Sequence, residues 1–226
     1  MNKWNNDFEL FQMMRQELFS AVVGDILDEY GYLHQFLPPR IKPLCDNMTL
    51  VGRAMPVLES DIEAGQTNDQ PDKPFGLMLE ALDDLKRNEV YICTGASPTY
   101  ALWGALMSLR AIQLEAAGAV VDGYSRDTNG ILNLGFPTFS YGKYSQDQKP
   151  RGKVVDFRTP ITLGKVSVKP DDIIFGDLDG VCVIPNEVEN EVITEALAKA
   201  RKEQVVKKAI ENGTSACEAF AEHGVM

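Results

Sequence analysis

The sequence predicts a single α/β domain over residues 1–226 with helices at both ends, and three observations carry that reading. Residues 89–94 form a short apolar run that ends at Gly95; a helical pattern over about 99–117 and a second apolar run at 119–121 follow. That is strand, loop, helix, strand, the crossover of a parallel sheet. Beyond Asp127, short runs alternate with turns at 137–140, 154–157, 165–168, 173–175 and 181–184, as in a sheet built from brief strands. Helical periodicity marks both ends, with no linker-like stretch dividing the chain into halves.

In chain order, Phe8, Phe11, Arg15, Leu18 and Phe19 fall at helical spacing. Ser20 offers a cap for a second helix through Val22, Val23, Ile26 and Leu27, closed by Gly31. Pro38, Pro39 and Pro43 mark an extended connection, and residues 49–58 read as a strand in which Gly52 and Pro56 suggest an edge or a bulge. Residues 59–76 are polar and read as a long loop, and a helical pattern resumes over 77–85. Gly176 to Gly180 predicts a tight turn between two strands; calcium binding there would need a longer loop with a terminal Glu. Asn186 is placed as the cap of a long helix to about Asn212, and a short helix spans 215–220.

Composition narrows the function. The chain carries 22 basic and 33 acidic residues, a net charge of -11, which argues against a nucleic-acid partner. No apolar run approaches a membrane span and no basic-then-apolar leader opens the sequence, so a cytoplasmic protein is expected. The four cysteines are scattered and the chain has two histidines, His34 and His223, which leaves little material for zinc sites or serine-hydrolase triads. A metal here would be a hard cation on oxygen ligands.

The stretch from Gly118 to Asp127 concentrates the chemistry. Its apolar run feeds the turn Asp122-Gly123 and ends in Arg126-Asp127, at the carboxyl end of a strand, where α/β proteins place their ligands. Arg126 offers a two-pronged donor for an anion and Asp127 a seat for a cation; an ordinary surface turn with a local ion pair fits the same residues. Gly104, near the start of the predicted helix, allows either a close ligand approach or close helix packing.

The segments Ala101 to Met107, Gly118 to Asp127 and Val168 to Val181 together resemble the family of the regulator of ribonuclease activity A and the class II 4-hydroxy-4-methyl-2-oxoglutarate aldolases. The resemblance runs from about Ser20 to the C-terminus and implies a fold similar to swivelling phosphohistidine domains, assembled as a homotrimer or dimer of trimers. It implies divalent-metal-dependent carbon–carbon cleavage that releases pyruvate, with oxaloacetate decarboxylation alongside. On that pattern Asp127 holds Mg2+ or Mn2+, Arg126 binds the small oxo acid and stabilises its enolate, and the backbone of Gly104, Ala105, Leu106 and Met107 cradles its carboxylate. Ala105 departs from the aldolases, which usually carry Glu or Asp there; acidic residues of a neighbouring subunit could compensate, with Asp28 a loose match to an acidic position of the aldolases and Glu203 a weaker candidate. The alternative that the resemblance offers is a non-catalytic regulator that binds a ribonuclease or another protein partner. The older methyltransferase label of the family is set aside, because no Gly-rich nucleotide loop follows a strand.

Overall fold

The structure, a computed structural model, describes residues 4–62 and 73–225. Helix α1 (Asp7–Glu17) starts at Asn6, whose side chain accepts a hydrogen bond from the Glu9 amide at 3.0 Å. Ser20 is not the cap of α2 (Ser20–Glu29) but its first residue. The capping acceptor comes from across the fold: Asp177 accepts from the Ser20 amide at 2.6 Å and its hydroxyl at 2.7 Å. This gives the acidic turn at 176–180 a structural role.

Strand β1 (Lys42–Pro43) and the long β2 (Leu50–Asp61) follow, so β2 runs past Leu58 into what the sequence presented as loop. Its extra residues pair with a later strand, and that pairing outweighs their polar character. Residues 63–72 of the predicted loop lie outside the described residues. Next come α3 (Met78–Asp83), β3 (Glu89–Thr94), β4 (Ala101–Trp103), α4 (Ala105–Gln113), β5 (Gly118–Val121), β6 (Tyr124–Ser125) and α5 (Thr128–Leu134). The chain continues through β7 (Thr138–Ser140), β8 (Gly152–Phe157), β9 (Ile161–Leu163), β10 (Val166–Val168), β11 (Ile173–Gly176) and β12 (Val181–Ile184). It ends with α6 (Glu189–Glu211) and α7 (Ala216–His223).

The main sheet has the order β1-β7-β5-β3-β2-β11-β12, with β8 also paired to β2. Strands β2, β3, β5 and β7 are mutually parallel, as the crossover predicts, and β11 and β12 form the predicted antiparallel hairpin. Helices α1, α2 and α6 bury Leu10, Phe11, Val23, Leu27 and Leu197 against β11 and β12. Helices α3 and α4 cover another face, where Tyr91, Trp103, Val121 and Ile131 pack together. The result is a mixed α/β fold with helices at both ends. Among the described residues no helix is long and apolar enough to cross a membrane.

Two sequence expectations are corrected near the site. The helix placed at 99–117 begins only at Ala105, because Ala101–Trp103 are drawn into parallel pairing with β6, where each is at most 4% exposed. Residues after Asp127, read as strand and turn, open instead with α5, which a left-handed Gly135 (φ 65°) ends. Further on, Asn186 does not cap α6: residues 186–188 form a 3-10 turn, and the Asn186 side-chain Nδ2 donates to the Asp171 carbonyl at 3.4 Å.

Candidate active site

The small β4–β6 pairing builds the site. Leaving β5, the chain pairs briefly with β4, and the Arg126 amide donates to the Trp103 carbonyl at 2.8 Å. Asp127 then adopts a left-handed conformation (φ 55°, ψ 35°), which an Asp tolerates better than most residues, and starts α5. This turn presses Arg126 and Asp127 against Gly104. A Cβ on Gly104 would lie 3.1 Å from Asp127 Oδ2 and 3.6 Å from Arg126 Cγ, so glycine leaves room for the acid itself.

Gly104 is also the N-cap of α4, with no side chain capping the helix. The first intrahelical bond runs from the Ser108 amide to the Gly104 carbonyl at 3.1 Å, so the amides of Ala105, Leu106 and Met107 lie in the unpaired first turn, a natural anion seat. Ser108 fixes this start: its hydroxyl accepts from Trp103 Nε1 at 2.8 Å and donates to the Gly104 carbonyl at 3.1 Å.

A cavity of about 450 Å³ opens here, lined by Gly104, Leu106, Met107, Arg126 and Asp127 together with apolar side chains including Phe75, Met78, Leu82 and Trp103. The predicted residues are therefore brought together, with one exception. Ala105 does not line the cavity; a Cβ on Gly130 of α5 would lie 2.7 Å from its methyl, so Ala105 faces the α4–α5 contact. Neither Asp28, exposed on α2, nor Glu203, on α6 beside Val206 and Ile210, is among the residues lining this cavity.

Sequence reasoning missed Asp147. It lines the cavity, and its Oδ1 lies 3.0 Å from Arg126 Nη1, closer than the 4.0 Å between Arg126 Nε and Asp127 Oδ2. The next residue, Gln148, also lines the cavity but is only 3% exposed; its amide nitrogen donates to Glu59 Oε2 at 2.7 Å. Glu59 is 2% exposed and its other oxygen has no partner among the described residues, nor has the buried hydroxyl of Tyr91. Burial pushes the Glu59 carboxyl up to about 8, opposed by the Gln148 hydrogen bond. No periodicity or motif marks residues 141–151, so no local signal pointed to this pair.

As a set, the cavity offers two cationic or dipolar anion donors and three carboxylates: Asp147 paired with Arg126 at 3.0 Å, Asp83 paired with Arg110 at 2.7 Å, and Asp127 held only at 4.0 Å from Arg126 Nε. Among the described residues no cluster of three acidic, histidine or cysteine side chains forms a protein-only metal cage.

A family model described as RraA-like, aldolase/RraA, matches residues 20–183. A Halalkalibacterium halodurans protein provisionally named 4-hydroxy-4-methyl-2-oxoglutarate aldolase is 31% identical, the match covering 82% of this chain and 83% of that protein. Protein DlpA of Legionella pneumophila is 29% identical over 87% of this chain; the match spans only 31% of DlpA's length. In fold, the chain is similar to RraAS2 of Streptomyces coelicolor, described as an unusual member of the RNase ES inhibitor RraA family. The TM-score is 0.76 at 21% identity, covering 90% of this chain and 98% of that one.

Proposed function

Since this chain belongs to the aldolase/RraA family, we propose that it is a divalent-metal-dependent lyase. It would cleave a 4-hydroxy-2-oxo acid, or decarboxylate oxaloacetate, through a pyruvate enolate. The observation that carries this is the Arg126-Asp127 pair seated in a cavity against the uncapped start of α4.

Asp127 is the residue that would hold Mg2+ or Mn2+. Its carboxylate borders open space rather than a basic partner at bonding distance, which suits a hard cation that takes one or two protein carboxylates and fills its other positions with water and substrate oxygens. Bound there, the ion would supply Lewis-acid withdrawal of charge from the enolate. The chain's own groups do the rest. The Ala105, Leu106 and Met107 amides receive the substrate carboxylate, Arg126 offers a fixed positive charge to the enolate oxygen, and the apolar wall excludes water. A homotrimer or dimer of trimers in the cytoplasm belongs to this reading. Its support is the exposure of Leu79 (55%) and Leu106 (81%) at the cavity, apolar surface that a second protomer would cover.

The test is pyruvate release from oxaloacetate and from 4-hydroxy-4-methyl-2-oxoglutarate, with magnesium or manganese and again with a chelator. Chelator-sensitive release supports the lyase. Silence from folded protein at saturating metal rejects it.

A second reading, a regulator that binds a ribonuclease, is favoured by one observation: residue 105 brings a methyl, not a carboxylate, to the helix start. Co-purification of a ribonuclease with the tagged chain at physiological salt, together with inhibition of its cleavage, would support it. No inhibition at saturating protein would remove it.

A further inference from the structure

Aldol cleavage needs a group that takes the proton from the substrate's C4 hydroxyl. Three carboxylates line the cavity: Asp83, Asp127 and Asp147. Asp83 accepts from Arg110 Nε at 2.7 Å, and Asp127 is assigned to the cation. Asp147 holds the guanidinium that the substrate must use more closely than Asp127 does, at 3.0 Å from Arg126 Nη1 against 4.0 Å.

We propose that Asp147 is the general base of the aldol cleavage, an inference that rests on the lyase reading above. Asp147 pairs with Arg126 across the cavity. When an oxo acid takes the guanidinium, Asp147 is left on the cavity wall beside the bound substrate, its oxygens no longer engaged by Arg126 and available to a hydroxyl. It then accepts the C4 hydroxyl proton; the C3–C4 bond breaks, a carbonyl forms at C4, and the bond's electron pair passes into the C2–C3 enolate. The proton returns from Asp147 to C3, giving pyruvate, so protons and electrons balance with no redox partner.

The placement is built. The carbonyl of Gln146 accepts from the Ala101 amide at 2.8 Å, the Asp147 carbonyl accepts from Arg151 Nη1 at 3.1 Å, and the Gln148 side chain is tied to Glu59. Residues on both sides of Asp147 are thus fastened to β4 and β2, although Asp147 sits on a loop. Its side chain remains 39% exposed, open to a ligand.

Two reactions of the same site separate this role from a structural one. Decarboxylation of oxaloacetate needs enolate stabilisation but no hydroxyl deprotonation, whereas cleavage of 4-hydroxy-4-methyl-2-oxoglutarate needs both. Asp147→Asn keeps the side chain's shape and removes its basicity. The expected result is a loss of kcat for aldol cleavage of ~10²–10⁴-fold, the range of a general base, so that the ratio of decarboxylation to cleavage rises by at least ~10²-fold. Asp147→Glu should recover part of the cleavage. Equal losses in both reactions, or no loss in either, overturn the assignment. A wild-type protein silent on both substrates overturns the lyase reading itself. Wild-type decarboxylation with no cleavage leaves the lyase reading standing and refutes Asp147 as a base for this aldol.

Discussion

Replacing Glu59 by Gln should remove most of a pH dependence from the stability of the fold. The folded chain holds this carboxyl at about 8 because burial disfavours its charge, against an ordinary value of 4.5. The unfolded chain ionises near 4.5 while the folded chain keeps the proton until about 8, so the folded state binds more protons across that window. Stability from this group is therefore complete below the lower value, declines as pH rises, and is lost above the upper one. At ~1.4 kcal/mol per pH unit the loss is ~3 kcal/mol at pH 7 and approaches ~5 kcal/mol above pH 8. Gln cannot ionise, and whatever its amide costs in that pocket is the same at every pH. Urea melts of the two proteins at one concentration between pH 5 and 9 should show their stability difference moving in favour of Glu59→Gln by ~1.4 kcal/mol per unit up to about pH 8, then levelling off. In thermal melts the relative Tm should shift by at least ~6 °C over pH 5 to 8 for a chain this size. Parallel curves for the two proteins would mean that Glu59 is ionised and solvated at neutral pH and that burial does not hold its proton.

Arg126→Ala and Asp127→Ala should each lower metal-dependent pyruvate release by ~10²-fold or more while leaving the fold intact, since both side chains are more than a third exposed. Activity retained in either variant, in a coupled assay that follows pyruvate, would contradict the assigned roles. Gly104→Ala suits the extended backbone there (φ −153°), so stability should change by less than ~0.5 kcal/mol. Its methyl would crowd Asp127 Oδ2, however, and the metal concentration giving half-maximal activity should rise several-fold. An unchanged metal requirement would show that the acid can shift freely. Ala105→Glu in an Asp147→Asn background should raise aldol cleavage if a carboxylate can reach the substrate from the helix start. No gain, with the double variant folded, would show that the contact with Gly130 directs residue 105 away from the cavity.

Much of the candidate site was legible because its signals are local. Arg126 and Asp127 follow a turn at the end of a buried strand, and the helix-start glycine lies on the preceding element of the same crossover; topology alone brings them together. What failed was where pairing overrode local pattern. Ala101-Leu102-Trp103 reads as the first turn of a helix, yet its three residues are buried in a two-stranded ladder with β6, and only after the extended Gly104 does α4 begin. Helix α5 was hidden because Thr128-Asn129-Gly130 has the composition of a turn, and its start depends on the left-handed Asp127. Asp147 had no signal at all, since its partner is distant in sequence and its own segment has neither period nor motif.

That distant pairing also explains how a loop residue acquires strand-like placement. The β2–β8 ladder shifts register between Leu58 and Glu59, and such an irregularity can re-aim a side chain. Here it accompanies a carboxyl that is buried against its own solvation preference and holds Gln148 by one oxygen while the other stays unpartnered. A buried acid with one unsatisfied oxygen is a poor way to stabilise a core, where an apolar side chain of similar size would do better. It is a good way to fix one amide in one orientation. With Gln148 fixed, Asp147 can vary little in position, and its pairing with Arg126 becomes a property of the scaffold rather than of a wandering surface charge. A carboxylate so fixed, paired with Arg126 and released when an anion takes its partner, is what proton abstraction from a bound hydroxy acid requires, and it needs no acid at residue 105.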